Sequence, residues 1–411
     1  MTAEPGGELF APLSPAMLAD PRPVYARLRA EDPVHWHEQL GVWVLTRHED
    51  CLRVVKDTGT FGSDLRKAGR DVPWQRLSMQ TLDPPEHTEL RKPVLAALRS
   101  VDLDRWTEQV RRTAEELVAG LGDEPADVIT ELAEPLSLSA TCLLFGAPPP
   151  VQDAEFRAAS RALVLSMDGG LAPERIEPGL AARVLLNDLV DGWFRAEYTD
   201  GMMAGLTAAR REVPAEHLVN TARALFHAGY TSTTSLIGNA LLGLDRHGAL
   251  SGADLRRTDS ATVNELLRLD GPVQAAGRAV HTDVDLGGRR LRRGEVVLAV
   301  FGAADHDPAV FPEPGRADFG RDPNPHLGFG RGVHACLGNH LAVRIVQALF
   351  HALGDRYEEL RIVGEPVRRP SATLRGLQQL LVTGADRAPA GERQLAGERD
   401  PAGGRRPGAR P

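Results

Sequence analysis

HLGFGRGVHACLGNHLA, residues 326–342, sets one cysteine among four glycines directly ahead of an apolar ladder. Leu337, Leu341, Ile345, Leu349 and Leu353 recur at every fourth position, the spacing of one helix face, and Gly354 is the expected C-cap. The helix is expected to begin at Cys336 or just after it. That would place the sulfur at a helix N-terminus, where free N–H groups and the helix dipole favour a thiolate. Gly330, Gly332 and Gly338 let the backbone turn tightly and approach something flat and bulky. Three roles suit such a thiolate: attacking nucleophile, zinc ligand, or axial ligand to haem iron. Zinc wants three or four protein ligands, and no second cysteine lies nearby. A nucleophile wants a base and a more open turn. A haem thiolate needs a single sulfur sheltered by a glycine-rich loop.

The rest of the chain narrows the setting. At 411 residues it has room for a large core, and its net charge of −8 argues against a nucleic-acid partner. No secretory signal opens the chain, and no apolar run reaches the ~18 residues of a membrane span. These features imply a cytoplasmic protein with neither nucleic acid nor membrane as partner. Cys51 and Cys142 sit in apolar stretches and read as buried free thiols. Basic charge is almost wholly arginine, with lysine only at 56, 67 and 92, a high-GC bacterial composition.

Periodicity indicates a mainly α protein. A short helix and strand are expected in PVYARLRAEDPVHWH, then a strand and helix in GVWVLTRHEDCLRVV. GTFGSDLRKAGRDVPWQ reads as a mobile loop. Helices dominate from Glu86 to about Arg257, broken at 146–150 and 168–174, and strands return in RAVHTDVDLGGRRLRRGEVVLAV with turns at LGG and RRGE. The longest helix is expected over about 214–245, bent where Gly229 precedes a run of hydroxyls. Residues 1–12 read as an extension, 13–384 as one domain and 385–411 as a disordered tail.

The stretch from Phe329 to Gly338 resembles the haem-binding signature FxxGxxxCxG of the cytochrome P450 family. Three further motifs follow the family's order, and the resemblance covers about Leu13 to Gly384. It implies the triangular, mainly α P450 fold with a small β-rich region, and haem b (iron protoporphyrin IX) held by Cys336 as axial thiolate. Phe329, Gly330 and Gly338 shape that loop. Glu265 and Arg268 resemble the family's ExxR pair, whose role is structural, and Arg316 stands where a completing arginine is expected. In LDPPEHTELRKPV, His87 and Arg91 lie four apart on one helix face, and with Arg278 and His334 they match contacts to the haem propionates.

The long helix departs from the family. Its usual pattern, (A/G)-G-x-(D/E)-T-(T/S), supplies an acid and an alcohol that deliver protons to the reacting oxygen. Here Ala228 and Gly229 are kept, but Thr231 takes the acidic position and Ser232 the alcohol position, followed by Thr233. Thr231 cannot relay a proton as a carboxylate does. The walls of the family's substrate site correspond here to Leu77, Met79, Leu165, Met167, Tyr230, Val273 and Gln274, among others. They suit an apolar, mid-sized natural product. The resemblance implies a bacterial monooxygenase that hydroxylates or epoxidises a secondary metabolite using O2. Electrons would come from NAD(P)H through a ferredoxin reductase and a ferredoxin, docked by Arg331 and the arginines of VRRTAEEL. Two alternatives remain: oxidative coupling or desaturation without oxygen insertion, and a non-catalytic haem sensor.

Overall fold

A computed structural model describes residues 9–151, 154–196 and 198–387. The first eight residues of the expected extension, and 388–411 of the expected tail, lie outside the described residues. Both expected boundaries move outward. Phe10 is buried against Tyr25 and His37, so the chain joins the core before residue 13. At the other end the strand Leu381–Asp386 passes the expected limit, and the Arg387 amide bonds the Arg356 carbonyl at 2.8 Å.

One helix organises the molecule. Ala215–Arg246 is 32 residues long, about 48 Å at 1.5 Å per residue. Glu216 near its start and Arg246 near its end complement the helix dipole. It packs on the helices Glu134–Phe145, Ile176–Arg195, Ser260–Asp270 and Asn339–Arg356. Leu218, Phe226, Ile237 and Leu241 on it are fully buried. The helix is continuously α through Gly229 and the hydroxyl run, so the expected bend is not a break. One stretch, Val128–Phe145, is long and apolar enough by composition to cross a membrane, but it packs into this core beside the central helix.

The β structure lies to one side. A five-stranded sheet runs in the order Val34–His37, Val42–Leu45, Val296–Val300, Ala275–Val280, Phe61–Gly62. Only the pairing of Val42–Leu45 with Val296–Val300 is parallel. The expected LGG turn is the hairpin between Val284–Leu286 and Arg289–Leu291, where Gly287 and Gly288 both take positive φ. Two positive φ values give the turn whose twist matches a hairpin, and glycine adopts them without strain. A three-stranded sheet of Ala126–Asp127, Leu381–Asp386 and Tyr357–Ile362 closes the far side.

The expected mobile loop is tied down. It holds the short strand Phe61–Gly62 and two single 3-10 turns, Leu65–Ala68 and Trp74–Arg76. Asp83 accepts the amides of Ser63 and Asp64 at 2.7 and 3.1 Å. Gly354 also differs from expectation. The helix runs on to Arg356, and Gly354 lies inside it, where a Cβ would stand 2.6 Å from the Gly252 carbonyl oxygen. Its smallness admits a neighbouring backbone; it does not end the helix.

Candidate active site

The Cys336 loop is a tight knot of backbone hydrogen bonds. The Cys336 amide donates to the Phe329 carbonyl at 2.9 Å, and the Gly330 amide to Leu327 at 2.7 Å. Gly330 and Gly332 both take positive φ, and a Cβ on Gly332 would stand 2.5 Å from the Val55 carbonyl oxygen. Glycine is therefore required at that crossing. The helix Asn339–Arg356 starts three residues after Cys336, so the sulfur sits before its first turn rather than on it. Burial pushes the thiol pKa up, against the opposing pull of the Gly338 amide and Arg91. The helix N-terminus alone does not make this sulfur a thiolate.

Cys336 faces a cavity of about 560 Å³ between its loop and the central helix. Leu337, Leu341 and Ile345 line this space, while Leu349 and Leu353 continue the same ladder into the core. Ala228, Gly229, Thr231, Ser232 and Thr233 line the opposite wall. The three hydroxyls each donate to the carbonyl four residues back, at 2.7 Å, onto His227, Ala228 and Gly229 respectively. Among the described residues no Asp or Glu lines the cavity.

Beside the loop, four basic groups converge. His87 and Arg91 from the helix Glu86–Arg99, Arg278 from the strand Ala275–Val280 and His334 from the Cys336 loop all line the cavity. The two imidazole rings lie 4.6 Å apart. Both ring nitrogens of buried His87, and Nε2 of His334, have no hydrogen-bond partner in the structure. Burial, then the nearby His334 and Arg91, pushes the His87 pKa down to about 4. Asp83 is the acid at hand, with a carboxylate oxygen 3.7 Å from His334 Nε2. Burial opposes its ionisation, yet His334 and the Ser63 and Asp64 amides hold its pKa well below the usual range. Unpaired buried donors are costly, and this set is suited to accepting carboxylates from a bound group.

Behind the loop lies a buried ion network. Arg268 and Glu265 are both fully buried and joined by two bonds of 2.8 Å. Arg268 also donates to the carbonyls of Asp305 and Pro314 at 2.9 and 2.8 Å. The arginine that completes the network is Arg321, 3.1 Å from Glu265, and not Arg316. The Arg316 side chain is 74% exposed and pairs with Glu313, so only its carbonyl reaches Arg268. Both arginines lie in the same loop, and spacing alone does not decide between them.

The expected substrate wall divides. Met79, Met167 and Val273 line the cavity. Tyr230 does not; it is buried against Phe156 and Phe226, with its hydroxyl bonded to Ser160. It points away because it lies on the opposite helix face from Ala228 and Ser232. Gln274 is held by the Tyr25 hydroxyl and the Gly271 carbonyl. Leu77 packs against the main core, and Leu165 lies at a separate surface depression. The basic surface expected around Arg111 and Arg112 is neutralised, since both pair with Glu108 and Arg111 also pairs with Glu115. Arg331 borders the cavity. Among the cavity residues that escaped the sequence reading are Arg183, Arg223 and His227. The signal available for two of them was a basic pair, Arg223 and His227, four apart in the long apolar helix.

A cytochrome P450 family profile matches residues 259–363, which include Glu265, Arg268 and Cys336. The chain is 32% identical to "Cytochrome P450 monooxygenase PikC" of Streptomyces venezuelae, over 95% of this chain and 98% of that protein. It is 35% identical to "Vitamin D(3) 25-hydroxylase" of Pseudonocardia autotrophica, over 90% of this chain and 95% of that one. Its fold matches a mutant of P450 EryK in complex with erythromycin B, with TM-score 0.81, 28% identity, and 91% and 98% of the two chains covered. The chain belongs to the cytochrome P450 family. It is a P450 oxidoreductase of the monooxygenase type, with the fold and the haem–thiolate cofactor of that family. The orphaned imidazoles, the two arginines and Cys336, the one cysteine among the described residues lining the cavity, fit that cofactor.

Proposed function

We propose that this protein is a cytoplasmic, ferredoxin-dependent monooxygenase, a single P450 domain that hydroxylates or epoxidises a mid-sized secondary metabolite. The observation that carries this reading is the placement of Cys336 across one cavity from the Ala228–Thr233 wall. Cys336 Sγ would ligate the haem iron, and His87, Arg91, Arg278 and His334 would hold the propionates by charge-assisted hydrogen bonds. Haem held by a thiolate supplies activation of dioxygen for insertion into a C–H or C=C bond. Phe329, Gly330 and Gly338 shape the loop that shelters the sulfur. Met79, Met167 and Val273 supply apolar contact that positions the substrate and excludes water.

Proton delivery falls to the central helix. With Thr231 in place of an acid, and no carboxylate lining the cavity among the described residues, the hydroxyls of Thr231, Ser232 and Thr233 are the groups left to hold a water, and Ser232, at the family's alcohol position, passes the proton. This same observation favours a second reading, coupling or desaturation, in which oxygen is not inserted. The test compares metabolites of the native strain with and without the gene, grown under isotopically labelled dioxygen. A lost product heavier than its accumulated precursor by one labelled oxygen supports monooxygenation. A product that lacks two hydrogens, or joins two precursors, replaces it with the second reading. A sensor predicts no lost product.

A further inference from the structure

The cavity has a second charged region that oxygen chemistry leaves without a task. Arg223 lies nine residues before Ser232 on the central helix, about 14 Å away at 1.5 Å per residue. It is 2% exposed and lines the cavity. Its Nε donates to Asn187 Oδ1 at 2.9 Å and its Nη2 to the Gln75 carbonyl at 3.3 Å. Asn187 is itself oriented, donating to Asn220 Oδ1 at 2.8 Å. Asn220 in turn bonds the carbonyls of Trp74 and Leu77, at 2.8 and 3.1 Å. A chain of amides therefore fixes this guanidinium in place.

Arg183, one turn before Asn187 on the helix Ile176–Arg195, lines the same cavity. Among the described residues it makes no hydrogen bond, and neither arginine makes an ion pair. Burial lowers the Arg183 pKa to about 9, followed by repulsion from Arg223 and Arg76, and burial lowers Arg223 to about 10. Both remain charged at neutral pH. Two guanidinium groups close enough to repel thus face an apolar space that no carboxylate lines. Unpaired buried charge is costly, and a charged ligand relieves that cost. Of the other basic groups beside the cavity, His227 lies one turn after Arg223, and burial pushes its pKa down to about 3; those at 87, 91, 278, 331 and 334 belong to the Cys336 side.

We propose that Arg223 and Arg183 form an anion-binding subsite at the end of the cavity remote from Cys336, so that the substrate is an amphipathic acid. Its carboxylate or phosphate pairs with the two guanidiniums, and its apolar body extends along the central helix toward Ser232. This rests on the reading that substrate lies between that helix and the Cys336 loop. Carboxylate and phosphate share the recognition chemistry, since guanidinium donates two parallel hydrogen bonds to either.

The test measures binding to the purified, haem-loaded protein by calorimetry. The probes are dodecanoate, dodecyl phosphate and methyl dodecanoate, each kept below its micellar concentration. The acids are expected to bind at least about 10-fold more tightly than the ester. The tighter of the two acids identifies the headgroup. Arg223→Gln and Arg183→Gln are each expected to remove most of that preference while leaving ester affinity unchanged. Arg223 carries structural hydrogen bonds, so Arg183→Gln, which breaks none, decides the matter if the first variant fails to fold. An ester that binds as well as the acids, acids that do not bind, or a preference that survives Arg183→Gln overturns the proposal. Calorimetry does not depend on the iron ligand. An anion preference without a thiolate-type haem spectrum would sink the monooxygenase reading and leave this one standing.

Discussion

The two walls of the cavity treat charge in opposite ways. Behind the Cys336 loop, Glu265 answers Arg268 and Arg321, and the spare donors of Arg268 end on the Asp305 and Pro314 carbonyls. Across the cavity, Arg183 and Arg223 have no acid to answer them. The first arrangement is closed on itself and holds a loop still. The second is open and fits a charge that arrives from outside. Paired and unpaired buried charge thus separate the part of the molecule that positions the cofactor from the part that selects what is oxidised.

Breaking the closed side has the largest expected effect. Removing one member of a buried ion pair strands the other, at about 3–5 kcal/mol. Glu265→Gln is therefore expected to lower the unfolding free energy read from urea denaturation by that amount and to release haem, whereas an unchanged unfolding free energy would show that the network holds nothing. A pH titration of stability sharpens the same region. Burial pushes the Asp305 carboxyl up to about 8 from an ordinary 3.8, although it accepts the Leu327 amide. Between those values the native state holds a proton that the unfolded chain has lost, so stability falls as pH rises through this window. Asp305→Asn is expected to flatten that slope, read from unfolding free energies at several pH values.

On the open side the expected effect is on chemistry and not on folding. Ser232→Ala is expected to lower product formed per NAD(P)H consumed by about 10-fold or more, because it removes the group that holds the proton-bearing water. Unfolding should be nearly unchanged. Product yield equal to wild type would move proton delivery elsewhere. The smallest effect belongs to Arg316. Exposed and paired only with Glu313, it is expected to change stability by no more than about 0.5 kcal/mol on replacement by alanine. Arg321→Ala should cost several times more, and equal costs would contradict the assignment of the network to Arg321.

The same division decides how much the sequence reveals. The closed side is legible because its chemistry demands fixed residues at short range: Cys336 after its glycines, Glu265 one turn before Arg268, His87 one turn before Arg91. The long-range partner is the weak point: position in the loop points to Arg316, and the fold uses Arg321. A loop of several arginines carries no periodicity, so its folding decides which one turns inward. The helix ladder fixed the Cys336 helix but misplaced its end, since Gly354 reads as a cap until the Gly252 backbone is seen against it. The open side was less legible. Met79, Met167 and Val273 line the cavity as expected, whereas Tyr230, Gln274, Leu77 and Leu165 do not. An apolar residue beside a cavity and one in the core look alike along the chain. Arg223 passes as a surface charge until its burial is known, and half-buried Arg183 until the cavity it lines is seen.

The most direct test of the account is the absorption spectrum of the reduced, carbon-monoxide-bound protein, taken for the wild type and for Cys336→Ala, Cys142→Ala and Cys51→Ala. The account predicts a red-shifted, thiolate-type Soret band that persists without Cys51 or Cys142 and disappears without Cys336. A band that survives in Cys336→Ala, or one that is lost only with another cysteine, would contradict it.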